Sequence, residues 1–362
     1  MAQVVWANKN ALSDTQLHET ILPALADGAV RLKIESFSVT ANNITYAVIG
    51  DMFGYWNFFP AEGDWGIVPM WGHAVVEASN SPDIMVGERV YGYLPMGTHL
   101  DVIPGKISAG GFTDVTTHRQ PMSPIYNQYS RLNADPEHDA GKEAERMLFG
   151  PLFKTGFLIE AMFRREGWFG AKNLIMTSAS SKTAMSLASV AKDLSPHIRR
   201  IGLTSSGNVD FVKQSGLYDE VIAYGDVGAL ANLPSVSVDF AGNSGLLRGI
   251  HGALGDDLKY SCLVGATHVD ARGPNSAGGN GGDMPGPKPI LFFAPDHAVA
   301  TIKELGPKGF GEAVGTSWKS FLRAVDGVVD IDERHGLDAA ATAFVETLEG
   351  RMDPKKGVII RP

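Results

Sequence analysis

The sequence predicts a two-domain α/β protein, a β-rich domain of barrel or sandwich type followed by a parallel sheet covered by helices. Three observations lead there. A chain of 362 residues is too long for one small core and suits two domains. Its first third is made of short β-type runs broken by glycine and proline. From about residue 140 the pattern changes, and apolar strands begin to alternate with helical stretches.

The elements follow in order. Val30–Val39 (VRLKIESFSV) alternates apolar and polar side chains, the period of a half-buried strand. Residues 73–78, 89–94 and 112–117 read the same way, and several short strands separated by turn residues suggest a small barrel or sandwich. Residues 139–165 begin with charge and carry an apolar stripe at helical spacing, interrupted by Gly150-Pro151. That dipeptide predicts one helix before it and another after it. Strands then read at Asn173–Met176, 200–203, Glu220–Ala223, 236–240 and 260–264, with helices at 183–192, 209–215 and Ser244–Leu254. Such alternation implies a parallel sheet buried on both faces. Residues 270–289 (DARGPNSAGGNGGDMPGPKP) form a long Gly/Pro-rich loop, to be read as a lid, a binding loop or a surface insertion. Beyond it, 290–293 reads as a strand, 297–305 and 339–349 as helices, and 357–361 as a strand.

Composition narrows the function classes. A net charge of −9 argues against nucleic acid or an anionic membrane as the main partner. No apolar run approaches the roughly 18 residues needed to span a bilayer. The opening MAQVVWANKNALSD lacks a basic region followed by an apolar stretch. The single cysteine, Cys262, excludes an intramolecular disulfide framework and any multi-cysteine metal site. A cytoplasmic protein is expected.

The most informative stretch is 174–192 (LIMTSASSKTAMSLASVAK), an apolar strand, a turn of small polar residues and a helix that opens with small residues. In that geometry a helix N-terminus receives a pyrophosphate. Ser178, Ala179, Ser180, Ser181, Lys182 and Thr183 stand where a glycine-rich pattern is usual. Serine hydroxyls can donate to a phosphate, and Lys182 can add a charge-assisted contact. The same segment also fits a plain strand–turn–helix without a ligand. An NAD-preferring site places an acid about twenty residues on, at the end of the next strand. Here that strand ends in Thr204, Ser205 and Ser206, with Arg199 and Arg200 at its start. Hydroxyls without a carboxylate tolerate a 2′-phosphate, so NADPH/NADP+ is expected over NADH.

With these parts in this order, the chain resembles the zinc-independent medium-chain dehydrogenase/reductases, in their quinone oxidoreductase and enoyl reductase branch, over most of its length. The resemblance is carried by 29–50, 69–78 (PMWGHAVVEA), 87–94 (GERVYGYL), 109–117 (AGGFTDVTT) and 152–161 (LFKTGFLIEA). It continues through 174–192, 201–206, 218–224 (YDEVIAY), 236–243 (VSVDFAGN) and 263–266 (LVGA). It implies a GroES-like β-barrel domain of residues 1–128 with 330–362 and a Rossmann-type doubly wound domain of residues 129–329. By the same resemblance, Thr155 lies near the nicotinamide. The other implied cofactor contacts are the turn residues 178–183 together with Thr204, Ser205, Ser206, Tyr224, Gly242, Asn243 and Gly265. Gly72-His73 resembles the histidine motif of the zinc-dependent relatives, but Ala74 stands where their Glu would be, and Thr40 stands near their first cysteine. A catalytic zinc needs about three protein ligands and a structural one usually four. No zinc is therefore expected, and His73 reads as a satisfied or exposed histidine.

Without zinc, hydride transfer needs a donor for the oxyanion or enolate that develops, and a proton source. The resemblance puts the active site between the domains. Tyr55 and Tyr46 are the nearest matches to the tyrosine that some enoyl reductase relatives use as proton donor, and Asn43 lies in the same zone. Tyr46 reads first as a barrel-core aromatic. The run Tyr55-Trp56-Asn57-Phe58-Phe59 is either a hydrophobic patch or a wall that excludes water around a small apolar or planar electrophile. Lys154 is a helix-surface residue or a phosphate or substrate contact. Three functions stay open: an NADPH-dependent reductase of an activated C=C bond (an enone, quinone or enoyl thioester), a zinc-free carbonyl reductase or alcohol dehydrogenase, and a nucleotide-binding protein with little catalysis. Relatives often dimerise through an edge strand of the nucleotide domain, and 290–293 (ILFF), apolar and bounded by prolines, fits one, so a homodimer is expected, although a strand buried in a monomer would read the same.

Overall fold

Residues 1–230, 233–264 and 284–362 are described by the computed structural model; Gly265 and the 270–283 part of the Gly/Pro-rich loop lie outside the described residues. The chain divides into two units, residues 1–148 with 330–362, and residues 149–329.

In the first unit a nine-stranded sheet runs in the order Asp330–His335, Lys356–Arg361, Val30–Val39, Pro69–Ser79, Arg89–Pro95, Gln128–Arg131, Gly111–Asp114 and Pro104–Ser108, with His99–Val102 also pairing on Val30–Val39. The pairings are antiparallel except the first, which is parallel and closed by the helix Leu337–Leu348. The alternation in Val30–Val39 does what its period requires, burying Val30, Leu32 and Ile34 in the core with Val90, Leu94, Phe344 and Val358. The sheet runs past the junction expected at 128/129, because Ser130 and Arg131 pair with Tyr91 and Val90. A second sheet, Ala11–Thr20, Ala2–Asn8 and Trp65–Gly66, had no counterpart among the expected strands. In Ala2–Asn8 the buried residues do not alternate, so the period-2 signal is missing.

Residues 139–165 hold one helix, Glu143–Arg165, where Gly150-Pro151 predicted two. Proline removes the N–H that would bond the carbonyl four residues back, here Met147. The Ser38 hydroxyl replaces it, donating to the Met147 carbonyl at 2.8 Å from a buried position. The helix continues because a neighbouring strand supplies the missing donor. Ser38→Ala is expected to leave that carbonyl unmet and to lower stability by about 1–3 kcal/mol, measured by urea unfolding. A loss below a few tenths would mean that water reaches the carbonyl.

The second unit is a six-stranded sheet in which every pairing is parallel. Its order is Glu220–Ala223, Arg199–Thr204, Asn173–Met176, Ser235–Asp239, Leu258–Leu263 and Ile290–Leu291. Counted along the chain this is 3-2-1-4-5-6, the doubly wound order, whose direction of growth reverses between the first and fourth strands. Those two central strands are buried at every residue, as a sheet covered on both faces demands. Gly156 lets the helix Glu143–Arg165 approach the helix Lys182–Leu194, since a Cβ there would meet the Leu187 backbone nitrogen at 2.7 Å. The strand expected at 290–293 narrows to Ile290–Leu291. The helix expected at 297–305 extends over Ala294–Ala324, breaking at Gly306 (φ 72°) ahead of Pro307. Among the described residues no helix is long and apolar enough to cross a membrane.

Candidate functional site

In the second unit the turn 178–183, Thr204, Ser205, Ser206, Tyr224, Gly242 and Asn243 all lie at the carboxyl ends of Asn173–Met176 and its neighbours, where the strand order reverses, whereas Thr155 lies on the helix Glu143–Arg165 and Gly265 is outside the described residues. The turn after that strand is tied from several sides. Ser178 donates its N–H to the Tyr224 hydroxyl (3.0 Å), and the Tyr218 hydroxyl donates to the Ala179 carbonyl (2.7 Å). Asn208 reaches the Ser180 hydroxyl at 3.4 Å. Ser181 is the N-cap of Lys182–Leu194 and accepts from the Ala184 N–H. Lys182 and Thr183 form the opening of that helix, the end that favours an anion. Thr204 is buried at its strand's end, while Ser205 and Ser206 are exposed. Asn243 caps the helix Ser244–Leu254 by accepting from the Leu246 N–H (3.0 Å), and Gly242 beside it has φ 68°. Thr155 donates back to the Pro151 carbonyl at 3.3 Å.

Ser178 has φ 49°, the left-handed region that glycine occupies without penalty. A serine there carries a conformational cost of about 1 kcal/mol. Ser178→Gly is expected to raise stability by up to that amount, read as an upward shift in melting temperature; a lower one would mean that serine contacts outweigh the strain.

Sequence reasoning passed over the residues that fasten this turn to the sheet. Asp239, buried at the end of Ser235–Asp239, accepts from the Thr177 hydroxyl (2.6 Å), the Ala241 N–H (3.1 Å) and the Gly242 N–H (3.2 Å). Thr177 in turn accepts from the Phe240 N–H at 2.9 Å. The first and fourth strands are thus laced together at the switch point. An acid ending an otherwise uncharged buried run (VSVDF) was the available signal.

In the first unit both tyrosine candidates fall in one aromatic cluster. Tyr46 lies on the helix Ala41–Val48, started by the capping box of Thr40 and Asn43, and is buried in the core of the first unit, as its reading as a core aromatic required. Its ring is 4.6 Å from Tyr55 and 5.4 Å from Tyr93, with Tyr126 at 4.8 Å from Tyr93. The Tyr46 hydroxyl accepts from Asn42 (2.7 Å) and from the Trp71 indole (3.0 Å), which leaves its own proton to donate. The Tyr55 and Tyr126 hydroxyls share a hydrogen bond of 3.0 Å. Burial pushes the phenols of Tyr46, Tyr55 and Tyr126 above their ordinary range, so at neutral pH all three keep their protons. Asn43 is engaged structurally: its oxygen accepts from the Thr40 N–H (2.7 Å), and its amide donates to the Pro69 carbonyl (2.8 Å).

One buried ion pair holds this cluster in shape. Arg119 pairs with Asp114 and donates from Nε to the Phe58 carbonyl (3.0 Å), with its guanidinium 5.1 Å from the Phe59 ring centre. Asn127, next to Tyr126, donates to the Arg119 carbonyl at 3.1 Å. The aromatic run 55–59 and Tyr126 are therefore positioned by the same arginine. Trp71, Tyr93, Tyr126 and Arg119 were not singled out from the sequence, because they come from separate strands and turns with no shared spacing.

His73 is neither satisfied nor exposed, contrary to expectation. It is fully buried, and neither ring nitrogen has a hydrogen-bond partner among the described residues. Burial lowers its pKa to about 4, with Arg146, Arg89 and His138 adding to the effect and Glu143 opposing it. Cys262 is buried on the strand Leu258–Leu263, and burial, with Asp239 nearby, raises its thiol pKa far above the ordinary range.

The family described as "Protein of unknown function (DUF2855)" matches residues 37–353. No curated protein matches the sequence. Among solved structures, the chain is similar to a quinone oxidoreductase of Pseudomonas syringae pv. Tomato, with 16% identity, TM-score 0.59 and 100% of each chain covered. It is similar to CurA from Vibrio vulnificus, solved in complex with NADPH, with 14% identity, TM-score 0.57, and 99% of this chain and 98% of that one covered. It is also similar to a putative NADPH:quinone reductase from Bacillus thuringiensis, with 12% identity, TM-score 0.57, and 100% and 99% covered. At such identities the likeness speaks for the fold, and the fold is the one the sequence resemblance implied: a Rossmann-type sheet domain with a GroES-like one.

Proposed function

This chain belongs to the DUF2855 family, and from its fold and the two residue clusters above we propose that it is an NADP(H)-dependent oxidoreductase that reduces an activated C=C bond. The observation that carries the reading is the turn 177–183, built at the reversal of the strand order, followed by a second strand ending in Thr204, Ser205 and Ser206 with no acid. The NADPH named for the CurA complex supports the same nucleotide. Bound there, NADPH would supply a hydride. Ser178 through Thr183 and the helix start behind them would hold its pyrophosphate, and the hydroxyls of Ser205 and Ser206 would receive the 2′-phosphate. Tyr224, Gly242, Asn243 and Thr155 would border the rest of the dinucleotide.

The first unit would supply the substrate side. Phe58, Phe59 and Trp71 exclude water from an apolar or planar electrophile. Tyr55 and Tyr126, protonated and joined, offer a hydroxyl donor and a proton, with Tyr46 behind them in the same cluster. No zinc takes part in this reading, since Thr40 is spent on a helix cap and Ala74 offers no ligand atom. Tyr126→Phe is expected to lower kcat by roughly 10²-fold with little change in KM, in steady-state assays on enones and quinones; an unchanged kcat would remove Tyr126 from the proton path.

A fluorescence titration with NADPH and NADH in parallel tests the reading. Tight binding of NADPH with weak or absent NADH binding is the expected result. Binding of neither would sink the reductase claim and leave only the fold. We further propose a cytoplasmic homodimer joined at the sheet edge Ile290–Leu291, whose side chains are 49% and 59% exposed despite being apolar. Leu291→Arg would then shift the light-scattering mass to that of one chain.

A further inference from the structure

On the strand Pro69–Ser79, Ala74 and Val76 fill the core of the first unit, and His73 belongs to the opposite face with Trp71 and Val75. That face is half-buried at Trp71 and Val75, yet His73 is completely covered. His138 and Glu143, from the segment entering the helix Glu143–Arg165, come to it so closely that one ligand atom of each lies within 4.8 Å of the others. A neutral imidazole has one donor and one lone pair. At His73 both nitrogens are unmet among the described residues, and so is Nδ1 of His138. Buried polar atoms left in this state call for an occupant.

The charges around the cluster are paired with one another. Arg89 is paired with Glu35 and Glu143, and Arg146 with Asp135 and Glu137.

We propose that His73, His138 and Glu143 bind one divalent transition-metal ion of the zinc, cobalt and nickel class. Two imidazoles and a carboxylate suit those ions, whereas calcium and magnesium take all-oxygen sets. Metal–ligand bonds of about 2.0–2.2 Å put tetrahedral ligand atoms roughly 3.4 Å apart, so the cluster closes on an ion by small side-chain rotations. Glu143 bonds Arg89 through both oxygens, and each oxygen keeps a second lone pair. The set shares only His73 with the histidine motif weighed from the sequence, and it goes beyond the proposed reaction, which uses no metal.

The test is a titration of full-length, tag-free protein, stripped with chelator and dialysed, first with Co²⁺ and then with Zn²⁺. Calorimetry should show one equivalent bound, cobalt should display the visible absorption of nitrogen ligation, and the melting temperature should rise. His73→Gln and His138→Gln should each weaken binding at least about 100-fold, while His197→Gln, exposed in the second unit, should not. Circular dichroism checks that each variant folds, and Glu143→Gln gives the reading if a histidine variant does not. Absence of stoichiometric binding by the unaltered protein, or binding that survives the folded variants, overturns the proposal.

Discussion

Asp239→Ala is expected to lower stability by roughly 3–5 kcal/mol and to abolish NADPH binding at concentrations that saturate the unaltered protein. The carboxylate, itself buried, accepts from the buried Thr177 hydroxyl and Ala241 N–H and from the N–H of the half-buried Gly242. Alanine takes the acceptor from the Thr177 hydroxyl and the Gly242 N–H, while the Ala241 N–H keeps the Thr177 oxygen at 3.1 Å, and unmet buried donors each cost about 1–3 kcal/mol. The damage falls where the turn 177–183 leaves the sheet, so binding and folding should fail together. Asp239→Asn separates the two effects. It keeps one acceptor oxygen for Thr177 but turns an amide toward the Gly242 N–H, giving an intermediate loss. Urea unfolding with parallel NADPH fluorescence titration measures both. Full NADPH affinity in a folded Asp239→Ala protein would show that the phosphate turn does not depend on this lacing.

Asp114→Ala should be of similar size, about 3–5 kcal/mol, for a different reason. Asp114 is fully buried and also accepts from the N–H groups of Ile103 and Thr116, each at 3.0 Å. Removing it strands the Arg119 guanidinium in a site 5% exposed. Arg119 holds the Phe58 carbonyl and covers Phe59, so the aromatic wall should loosen and KM for an apolar substrate should rise. The double variant Asp114→Ala/Arg119→Met is the diagnostic arm. With no charge left unpaired, it should be more stable than Asp114→Ala alone. If it is less stable, packing and not charge is what Asp114 secures.

These predictions rest largely on residues that the sequence did not flag, and the reason is physical. Periodicity reports on neighbours along the chain, so Val30–Val39, Asn173–Met176 and Ser244–Leu254 were legible from their patterns. The phosphate turn was legible too, because strand, turn and helix are contiguous there. Tyr46 and Tyr55 could be nominated one by one, but Tyr93, Tyr126 and Trp71 come from elements far apart in sequence. Pro151 misled for a related reason. Its rule assumes that the orphaned carbonyl stays orphaned, and Ser38, more than a hundred residues earlier, lies outside any local window. Asp114 was opaque because a buried carboxylate looks like any surface acid until its donors are known, and at Asp239 the one signal, an acid closing a buried run, says nothing of the donors it gathers.

The discontinuity of the first unit bears on how the protein is made. Residues 149–329 are inserted between two parts of one domain, and Phe37–Val39 pairs with Val358–Ile360 across that insertion. At translation speeds of about 5–20 residues per second, this edge waits roughly 15–60 s on the ribosome before its partner exists. The inserted unit holds all six of its strands and can fold as soon as it emerges. The domain begun first is therefore finished last, and its open edge during that interval is where a chaperone would be needed most.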